Sequence, residues 1–355
     1  MKIIFLNLTA SRIWPDIETE KGIGASDAFI IHVTKALAKK DHEVKLYANS
    51  PFNGVNDGVR WENDVEPDLL EECDLLVVNR GVVNIHNFKY KKMIYWAHDN
   101  TDAPIMKGIE LFLPKPDVIV AVSEWHKNRI LKLSREKKVS LAPDKIIVVG
   151  NGLALPAEKP KKKEFSACFA SVPFKGLHVL AKIWPMIRKA VPGLKLHVCS
   201  GMDLHNMPGH DLYYSQVYHD LKKDKSVTLH GVIPNHEVRE VMKKCSLMIY
   251  PNTFAETFCV AAYESISVGA PVITSDLAAL PETILNCGIL IKGDPTAPGD
   301  GTKPLYFAEM LKVLKDILVD NPSKLLDLRK NCYKRKMRTW SDVADDLERI
   351  AERIP

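Results

Sequence analysis

Two series of short apolar runs constrain the fold of this chain most strongly. The first series has six runs rich in Ile, Val and Leu: KIIFLNL, VKLYA, DLLVVN, MIYWAH, DVIVAVS and KIIVVGN. Helical stretches separate the runs, and continuous apolarity is typical of strands that are buried on both faces of a parallel sheet. A second series follows, with SACFAS, KLHVCSG, VTLHGV, LMIYPN, PVITSD and GILIKG. The sequence therefore predicts two α/β domains in tandem, each with a doubly wound parallel sheet.

A length of 355 residues also favours two domains. The segment NGLALPAEKPKKKEF, at 151–165, lies between the two series and has the Pro and Lys content of an exposed linker. We therefore expect one Rossmann-like domain at 1–153 and a second at 154–339. The tail at 340–355 is predicted to be a helix with Ser341 as its N-cap, because apolar residues recur there at helical spacing: Val343, Leu347, Ile350 and Ile354.

Charge and cysteine content exclude several classes of protein. The chain has 49 basic and 44 acidic residues, and this mild excess is too small for a dedicated nucleic-acid binder. Its seven cysteines form no Cys-x-x-Cys pair and lie mostly in apolar surroundings, which favours reduced, buried thiols in the cytoplasm and argues against zinc or disulfides.

The N-terminal MKIIFLNLT lacks a long apolar region and a cleavage site, so we predict a first strand there and no signal peptide. No apolar run approaches the roughly 20 residues that span a bilayer.

Two carboxylates stand out in NTFAETFCVAAYESISVGAPVITSD. Glu256 precedes a helix predicted at 258–268, and Glu264 lies in its second half, with seven mostly apolar or small residues between the two. Eight helical positions rotate the side chain by about 80°, so the pair is expected to contact two parts of one extended ligand. The alternative is that Glu256 only caps the helix and that Glu264 is solvated.

Ligands of open α/β sheets bind outside the carboxyl ends of the strands, and two such domains would enclose a cleft there. In ASVPFKGLHVL, a strand is predicted to end near Ser171, and Lys175 and Gly176 stand just before a helix. The Lys175 ammonium and the N–H groups of the helix start would together bind an anion. The alternative is a surface lysine before a glycine turn.

Further candidate residues follow three other predicted strands. In EKGIGASDAF, Gly22 and Gly24 precede a helix, where glycine permits close approach to a phosphate or sugar; a flexible loop is the alternative. This is not a full G-x-G-x-x-G, so no dehydrogenase fingerprint is present. In IYWAHDN, His98 and Asp99 end a strand, where His98 suits proton handling or a hydrogen bond to a sugar hydroxyl, or is a structural histidine. Arg80, in VVNRG, has a similar position.

The segment HKNRILKLSREKKV has six basic residues and one acidic residue between Lys127 and Lys138. With Ile and Leu interspersed, it could dock on an anionic membrane surface. A solvated helix face is the favoured interpretation.

These stretches, taken in order, resemble glycosyltransferase family 4. The resemblance rests on Glu256 and Glu264, on the GAPVITSDLAALPETI that follows them, and on weaker matches along the whole chain: GIGAS, VIVAVSEWHKNRI, IIVVGNGL, KGLHVLAKIWPMIRKAVPGLKLHV and VTLHGVIPNHEVREVM. It implies the GT-B fold, in which two Rossmann-like domains face a central cleft. The first domain would take the acceptor and the second the donor, and the C-terminal helix would rejoin the first.

The resemblance also implies an activity. Members move a sugar from a nucleotide-diphosphate sugar to an acceptor hydroxyl, usually with retention of anomeric configuration and without a bound metal or cofactor. The acceptor here would be a glycan or a lipid-linked or protein-linked group. We therefore expect a cytoplasmic enzyme that could also contact a membrane surface, with no nucleic-acid partner.

The family's roles fall on named residues of this chain. By resemblance, Glu264 would bind the donor ribose, Glu256 would lie beside the donor sugar, and Lys175 would neutralise the departing phosphate. Further donor contacts would come from Thr257, Phe258, Ser171, Pro234 in a base-binding loop at 232–235, and the Gly22 and Gly24 loop. His98 would take part in catalysis, and Asp99 and Arg80 would contact the acceptor. Many members carry an arginine five residues before the lysine, where this chain has Ala170.

Three other functions stay open. An epimerase on the same fold would lack the carboxylate pair, and a phosphorylase would need a pyridoxal-phosphate lysine in a much longer chain. A non-catalytic nucleotide-sugar-binding protein is the alternative from another class. The presence of Glu256, Glu264 and Lys175 together favours the enzyme.

Overall fold

A computed structural model describes residues 1–7, 9–63, 70–155, 163–293, 295 and 302–355, without the side chains of 302–304. Residues 156–162 of the predicted linker lie outside the described residues, as does Leu8 at the end of the first predicted strand. The chain divides into two compact units. Unit 1 comprises 1–17, 24–154 and 338–355, and unit 2 comprises 18–23 and 155–337.

The sheet of unit 1 has eight described strands in the order β3-β4-β2-β1-β5-β6-β7-β8. Their bounds are β1 Lys2–Asn7, β2 Glu43–Ala48, β3 Gly54–Asn56, β4 Val59–Glu62, β5 Glu71–Asn79, β6 Phe88–Trp96, β7 Val118–Ala121 and β8 Ile146–Val148. Every pairing is parallel except β3 with β4. The six predicted strands are thus confirmed, and an unpredicted hairpin extends the edge.

The unpredicted hairpin has a physical signature in the sequence. Asp57 and Gly58 form its two-residue turn, with φ of 49° and 79°. Positive φ at both positions is the type I′ geometry for which Asp-Gly is strongly preferred. The two strands, of three and four residues, are too short to show a clear alternation of apolar and polar residues in the sequence.

The helices of unit 1 lie before, between and after these strands. They are α1 Ile17–Glu20, which crosses the unit boundary, α2 Ala25–Ala38, α3 Glu124–Glu136 and the C-terminal α11 Trp340–Arg353, with short 3₁₀ turns at Pro104–Met106, Ile109–Leu111 and Pro143–Lys145. The predicted cap of α11 is wrong. Thr339, not Ser341, caps this helix, because its hydroxyl accepts from the Asp342 N–H while Asp342 accepts from the Thr339 N–H.

Unit 2 contains a six-stranded, fully parallel sheet in the order β11-β10-β9-β12-β13-β14. Its strands are β9 Glu164–Ala170, β10 Lys195–Cys199, β11 Val227–Leu229, β12 Cys245–Tyr250, β13 Val272–Ser275 and β14 Gly288–Ile291. All six residues of β12 are buried, as expected for a central strand covered on both faces.

The helices of unit 2 include α4 Leu177–Ala190, α5 Ser215–Lys223, α6 Asn235–Lys244, α7 Val260–Ser267, α8 Leu280–Ile284, α9 Thr302–Lys315 and α10 Pro322–Lys334, with a π-helical turn at Asp316–Asp320 and 3₁₀ turns at Pro173–Lys175, Met202–His205 and Pro208–Tyr214. Helix α7 starts two residues later than predicted. Cys259 has φ of 74°, a left-handed conformation that cannot continue a right-handed helix backwards.

All seven cysteines are buried free thiols. Among the described helices, none has both the length and the apolar character that crossing a membrane requires.

Candidate functional site

Lys175 and Glu256 form an ion pair at the carboxyl ends of β9 and β12. The Lys175 Nζ donates to both carboxylate oxygens of Glu256, at 3.0 and 3.1 Å. The Tyr250 hydroxyl donates to Oε1 of the same carboxylate at 2.7 Å. Burial, and then the Glu256 charge, raise the pKa of Tyr250 well above its usual value, so the phenol stays protonated and keeps donating. Glu256 is therefore a buried carboxylate held by one cation and one hydroxyl.

The backbone around this pair is fixed by a close approach of two loops. Gly176 follows Lys175 with φ of 124°, and a Cβ built on it would lie 2.3 Å from the carbonyl oxygen of Pro251. Thr253 Oγ1 donates to the Phe174 carbonyl at 2.8 Å, which joins the same two loops again. The ammonium of Lys175 also lies 4.6 Å from the centre of the Phe254 ring. These contacts hold the Lys175 side chain in one place.

Glu264 lies in α7 and forms a second buried ion pair. Nη1 of Arg239, on α6, donates to Glu264 Oε1 at 3.0 Å. The Glu264 side chain is 11% exposed and that of Arg239 is 18% exposed. Burial raises the pKa of Glu264 above its usual value, Arg239 opposes that rise, and the nearby Glu18 adds to it.

The turn between the two carboxylates leads directly into α7. The Thr283 hydroxyl donates to the Phe258 carbonyl, and the Phe258 ring packs edge-on against Tyr263 at 5.3 Å. Thr257 and Phe258 are both half-buried. The first N–H groups of a helix have no partner within the helix and favour negative charge, so the start of α7 is suited to a phosphate.

The short segment 18–23 packs within unit 2 against the loop at 232–235. Asn235 holds this segment by its side-chain amide, whose Oδ1 accepts from the Ile23 N–H at 2.9 Å and whose Nδ2 donates to the Ile23 carbonyl at 3.3 Å. The Lys21 Nζ donates to Asn206 Oδ1 at 3.0 Å. Pro234 provides the N-cap position of α6.

The two glycines predicted to contact the donor differ in their surroundings. A Cβ on Gly22 would lie 2.7 Å from the Ile233 carbonyl oxygen, whereas a Cβ on Gly24 would meet nothing within 4 Å. Gly22→Ala is therefore expected to displace the 18–23 segment and to lower hydrogen-exchange protection of the Ile23 amide about tenfold or more, roughly the loss of one hydrogen bond. Gly24→Ala is the matched control and should leave that protection unchanged. Equal protection in both variants would show that close packing at Gly22 is unimportant.

His98, Asp99 and Arg80 lie together in unit 1, just after β5 and β6. Arg80 binds Asp99 through two hydrogen bonds, at 2.8 and 2.9 Å. Burial raises the pKa of Asp99, but the Arg80 hydrogen bonds and charge outweigh it and leave that pKa below its usual value. Burial, followed by the Arg80 charge, lowers the pKa of His98 to about 3, so the imidazole is neutral at physiological pH. Its ring lies 4.7 Å from that of Phe29.

His126 fixes the backbone at this strand end. Its Nδ1 accepts from the Val122 N–H at 3.4 Å, so its Nε2 carries the proton and donates to the Asp99 carbonyl at 3.0 Å. Burial lowers the pKa of His126 to about 4. The neutral ring thus acts as a support for Asp99.

Several residues of the site were not predicted from the sequence. Tyr250 and Arg239 each contact one of the two carboxylates, and Asn235 anchors the 18–23 segment. Arg239 stands 25 positions before Glu264, so no local pattern links them. Tyr250 reads as one more apolar residue of a buried strand. Ser171, predicted at a strand end, lies one residue beyond β9, and Ala170 is that strand's buried last residue.

The part of the chain that the structure describes contains no group of three His, Cys, Asp or Glu side chains placed to hold a metal ion. The charged side chains described at this site are Lys175, Arg239 and the two glutamates.

Comparisons with known proteins place this geometry in context. Residues 165–305 match the family model described as glycosyl transferases group 1, and this range contains Lys175, Glu256 and Glu264. The structure of HepE from Anabaena, in complex with UDP and glucose, is similar with a TM-score of 0.70 and 15% identity, covering 99% of this chain and all of that one. The chain has the GT-B fold.

Two other proteins resemble this GT-B chain. WaaG, a glycosyltransferase involved in lipopolysaccharide biosynthesis, matches with a TM-score of 0.67 and 13% identity over 97% of this chain and 99% of that one. A subunit of the phosphatidylinositol N-acetylglucosaminyltransferase of Arabidopsis thaliana is 22% identical over 267 residues, which is 73% of this chain. The chain spans about half the length of that relative, 54%.

Proposed function

We propose that this protein transfers a sugar from a nucleotide-diphosphate sugar to a hydroxyl of an acceptor. The observation that carries the proposal is the ion pair of Lys175 with Glu256, which lies at strand ends inside the segment that matches the glycosyltransferase model. Breaking the donor's bond leaves negative charge on the diphosphate, and a fixed ammonium beside a helix start stabilises that charge. Glu256 would then contact the donor sugar, and Glu264 the ribose.

Without donor, Glu256 balances the charge of Lys175. A bound diphosphate would share that ammonium, so the lysine need not be desolvated or reoriented when the donor enters. Thr257 and Phe258 would present backbone N–H groups to the diphosphate. Ser171, Pro234, Gly22 and Gly24 would complete the donor contacts.

UDP-sugars are the first donors to test, because HepE was crystallised with UDP and glucose and the Arabidopsis relative is named as a subunit of an N-acetylglucosaminyltransferase. A calorimetric screen of UDP-, GDP-, ADP- and CMP-linked sugars would identify the donor. Release of nucleoside diphosphate from the best binder separates the enzyme from a non-catalytic binding protein. Tight binding with no hydrolysis and no transfer to any acceptor would contradict the proposal and favour the binding protein.

We further propose that transfer retains the anomeric configuration and needs no metal ion. Lys175 and the start of α7 supply positive charge where a bound cation would otherwise act. The expected results are an unchanged rate in excess chelator and a product with the donor's anomeric configuration by NMR. Loss of activity in chelator that is restored by Mg²⁺ would contradict metal independence.

We propose that residues 1–153 with 340–355 take the acceptor and that residues 154–339 take the donor. Asp99 and Arg80 would contact acceptor hydroxyls, and neutral His98 would accept a hydrogen bond from one of them. A glycan or a lipid-linked acceptor is the favoured class, since WaaG acts in lipopolysaccharide biosynthesis and the Arabidopsis relative is named for phosphatidylinositol.

A lipid-linked acceptor would require contact with a membrane surface. Helix α3 and the residues after it carry the predicted basic segment, and Lys132, Arg135, Lys137 and Lys138 are exposed there. We propose that this face docks on anionic lipid. Salt-sensitive binding to vesicles that contain phosphatidylglycerol is expected, and no binding at low salt would contradict the docking.

A further inference from the structure

We propose that Arg239 is a positioning residue for the donor nucleoside: it holds Glu264 so that the free part of the carboxylate faces the two ribose hydroxyls. The inference rests on the proposed function, and it assigns a role to a residue that the carboxylate motif itself does not include. It follows from three features of helix α6 and its neighbours.

The first feature is the single hydrogen bond between the two side chains. Arg239 donates through Nη1 to Oε1 of Glu264 at 3.0 Å. An ionised carboxylate has about four lone-pair sites. One bond to Arg239 therefore anchors Oε1 of Glu264 and leaves acceptor sites for two hydroxyl donors, which is what a ribose diol presents.

The second feature is burial. Only 9% of Glu264 is exposed, and a carboxylate so placed tends to take up a proton unless a cation lies beside it. The charged groups that act on Glu264 from the surrounding elements are Arg239 on α6 and Glu18 in the 18–23 segment. Arg239 is the one that favours the ionised form, and a protonated Glu264 would lose an acceptor site.

The third feature is the face of α6 on which Arg239 lies. Asn235 is four positions earlier, so both side chains project from the same face of the helix. Asn235 binds Ile23 of the 18–23 segment, and Arg239 binds Glu264. One helix face thus connects the proposed base-binding loop to the proposed ribose carboxylate.

The test is calorimetric titration of wild type and Arg239→Met with UDP-glucose, or with the donor that binds best, between pH 5 and 8. Loss of the arginine raises the pKa of Glu264. Because donor binding needs the ionised form, affinity should begin to fall at a higher pH in the variant than in wild type as the pH is lowered. At pH values below both Glu264 pKa values, donor binding should be about tenfold weaker for each unit by which that pKa has risen. Arg239→Lys keeps the charge and should restore the wild-type pH profile in part.

A matched control is Arg188→Met. Arg188 makes an arginine–carboxylate pair of the same kind in unit 2, with its Nη1 3.1 Å from Asp224 Oδ1, and its loss should leave donor affinity unchanged at every pH. The Glu264 carboxyl can also be titrated by NMR with ¹³C-labelled glutamate and no donor, with Glu264→Gln identifying the resonance. The Glu264 pKa should be higher in Arg239→Met, and this measurement stands even if the variant proves less stable.

Three outcomes would overturn the inference. The first is that Arg239→Met binds the donor as tightly as wild type at every pH. The second is that its donor affinity falls equally at every pH while the Glu264 pKa does not change. The third is that Arg188→Met loses as much donor affinity as Arg239→Met. If wild type binds no nucleotide sugar at all, the proposed function fails and this inference fails with it.

Discussion

Replacing Lys175 with methionine is expected to lower kcat for sugar transfer about 10²- to 10³-fold, the usual cost of removing one group aimed at charge that develops in the transition state. The Lys175 Nζ reaches both oxygens of Glu256, so its position is set before any donor arrives. KM for the donor should change less than kcat, because charge on the leaving diphosphate grows as the bond breaks. Steady-state kinetics with the best donor measures both.

Removing one partner of a buried ion pair leaves the other charge uncompensated, so stability must be measured as well. The double variant Lys175→Met with Glu256→Gln removes both charges and should recover thermal stability without recovering kcat. Lys182→Met, at an exposed lysine on α4, is the control and should match wild type. Turnover of Lys175→Met within about twofold of wild type would show that phosphate stabilisation lies elsewhere.

Gly176→Ala is expected to destabilise unit 2 by about 2–6 kcal/mol, from about 1–3 kcal/mol of backbone strain and about 1–3 kcal/mol of overpacking. The strain arises because φ is 124°, and the overpacking because the new Cβ would lie 2.3 Å from the Pro251 carbonyl oxygen. Backbone on both sides of this contact must separate, which moves Lys175 away from Glu256. Chemical denaturation should show the loss, and sugar transfer should fall with it.

Gly193→Ala separates the two causes. Gly193 also has positive φ, 84°, but its nearest neighbour to a new Cβ is the Phe165 ring at 4.0 Å. Only the backbone strain applies there, so the free energy of unfolding should fall by about 1–2 kcal/mol and sugar transfer should stay intact. Equal destabilisation in the two variants would mean that close packing of Gly176 on Pro251 contributes nothing.

The fold was largely predictable because its strands are buried on both faces. Continuous apolar runs such as those of β1 and β12 have no solvent face to interrupt them, and they alternate with helical segments at the spacing of crossover connections. Features that depend on one or two dihedral angles could not be predicted from the sequence. Examples are the left-handed conformation of Cys259, which makes α7 begin later, and the hairpin turn at Asp57 and Gly58.

The candidate site was predictable only in part. Lys175, Glu256 and Glu264 stand out because charge within an apolar segment is unusual. Their partners do not stand out, since Tyr250 is 6 positions from Glu256 on a strand and Arg239 is 25 positions from Glu264 on another helix. Only the fold brings these side chains together. The different surroundings of Gly22 and Gly24 also depend on packing, because both look alike in the sequence.

The most direct test of the central claim compares one nucleoside diphosphate with its monophosphate by calorimetry, in wild type, Lys175→Met and Glu264→Gln. The claim is that one donor places its diphosphate at Lys175 and its ribose at Glu264. Wild type should bind the diphosphate about tenfold tighter or more, the energy of one charge-assisted hydrogen bond. Lys175→Met should abolish the preference for the diphosphate. Glu264→Gln should weaken the binding of both nucleotides but keep that preference. A preference that survives in Lys175→Met, or that disappears in Glu264→Gln, would contradict the account.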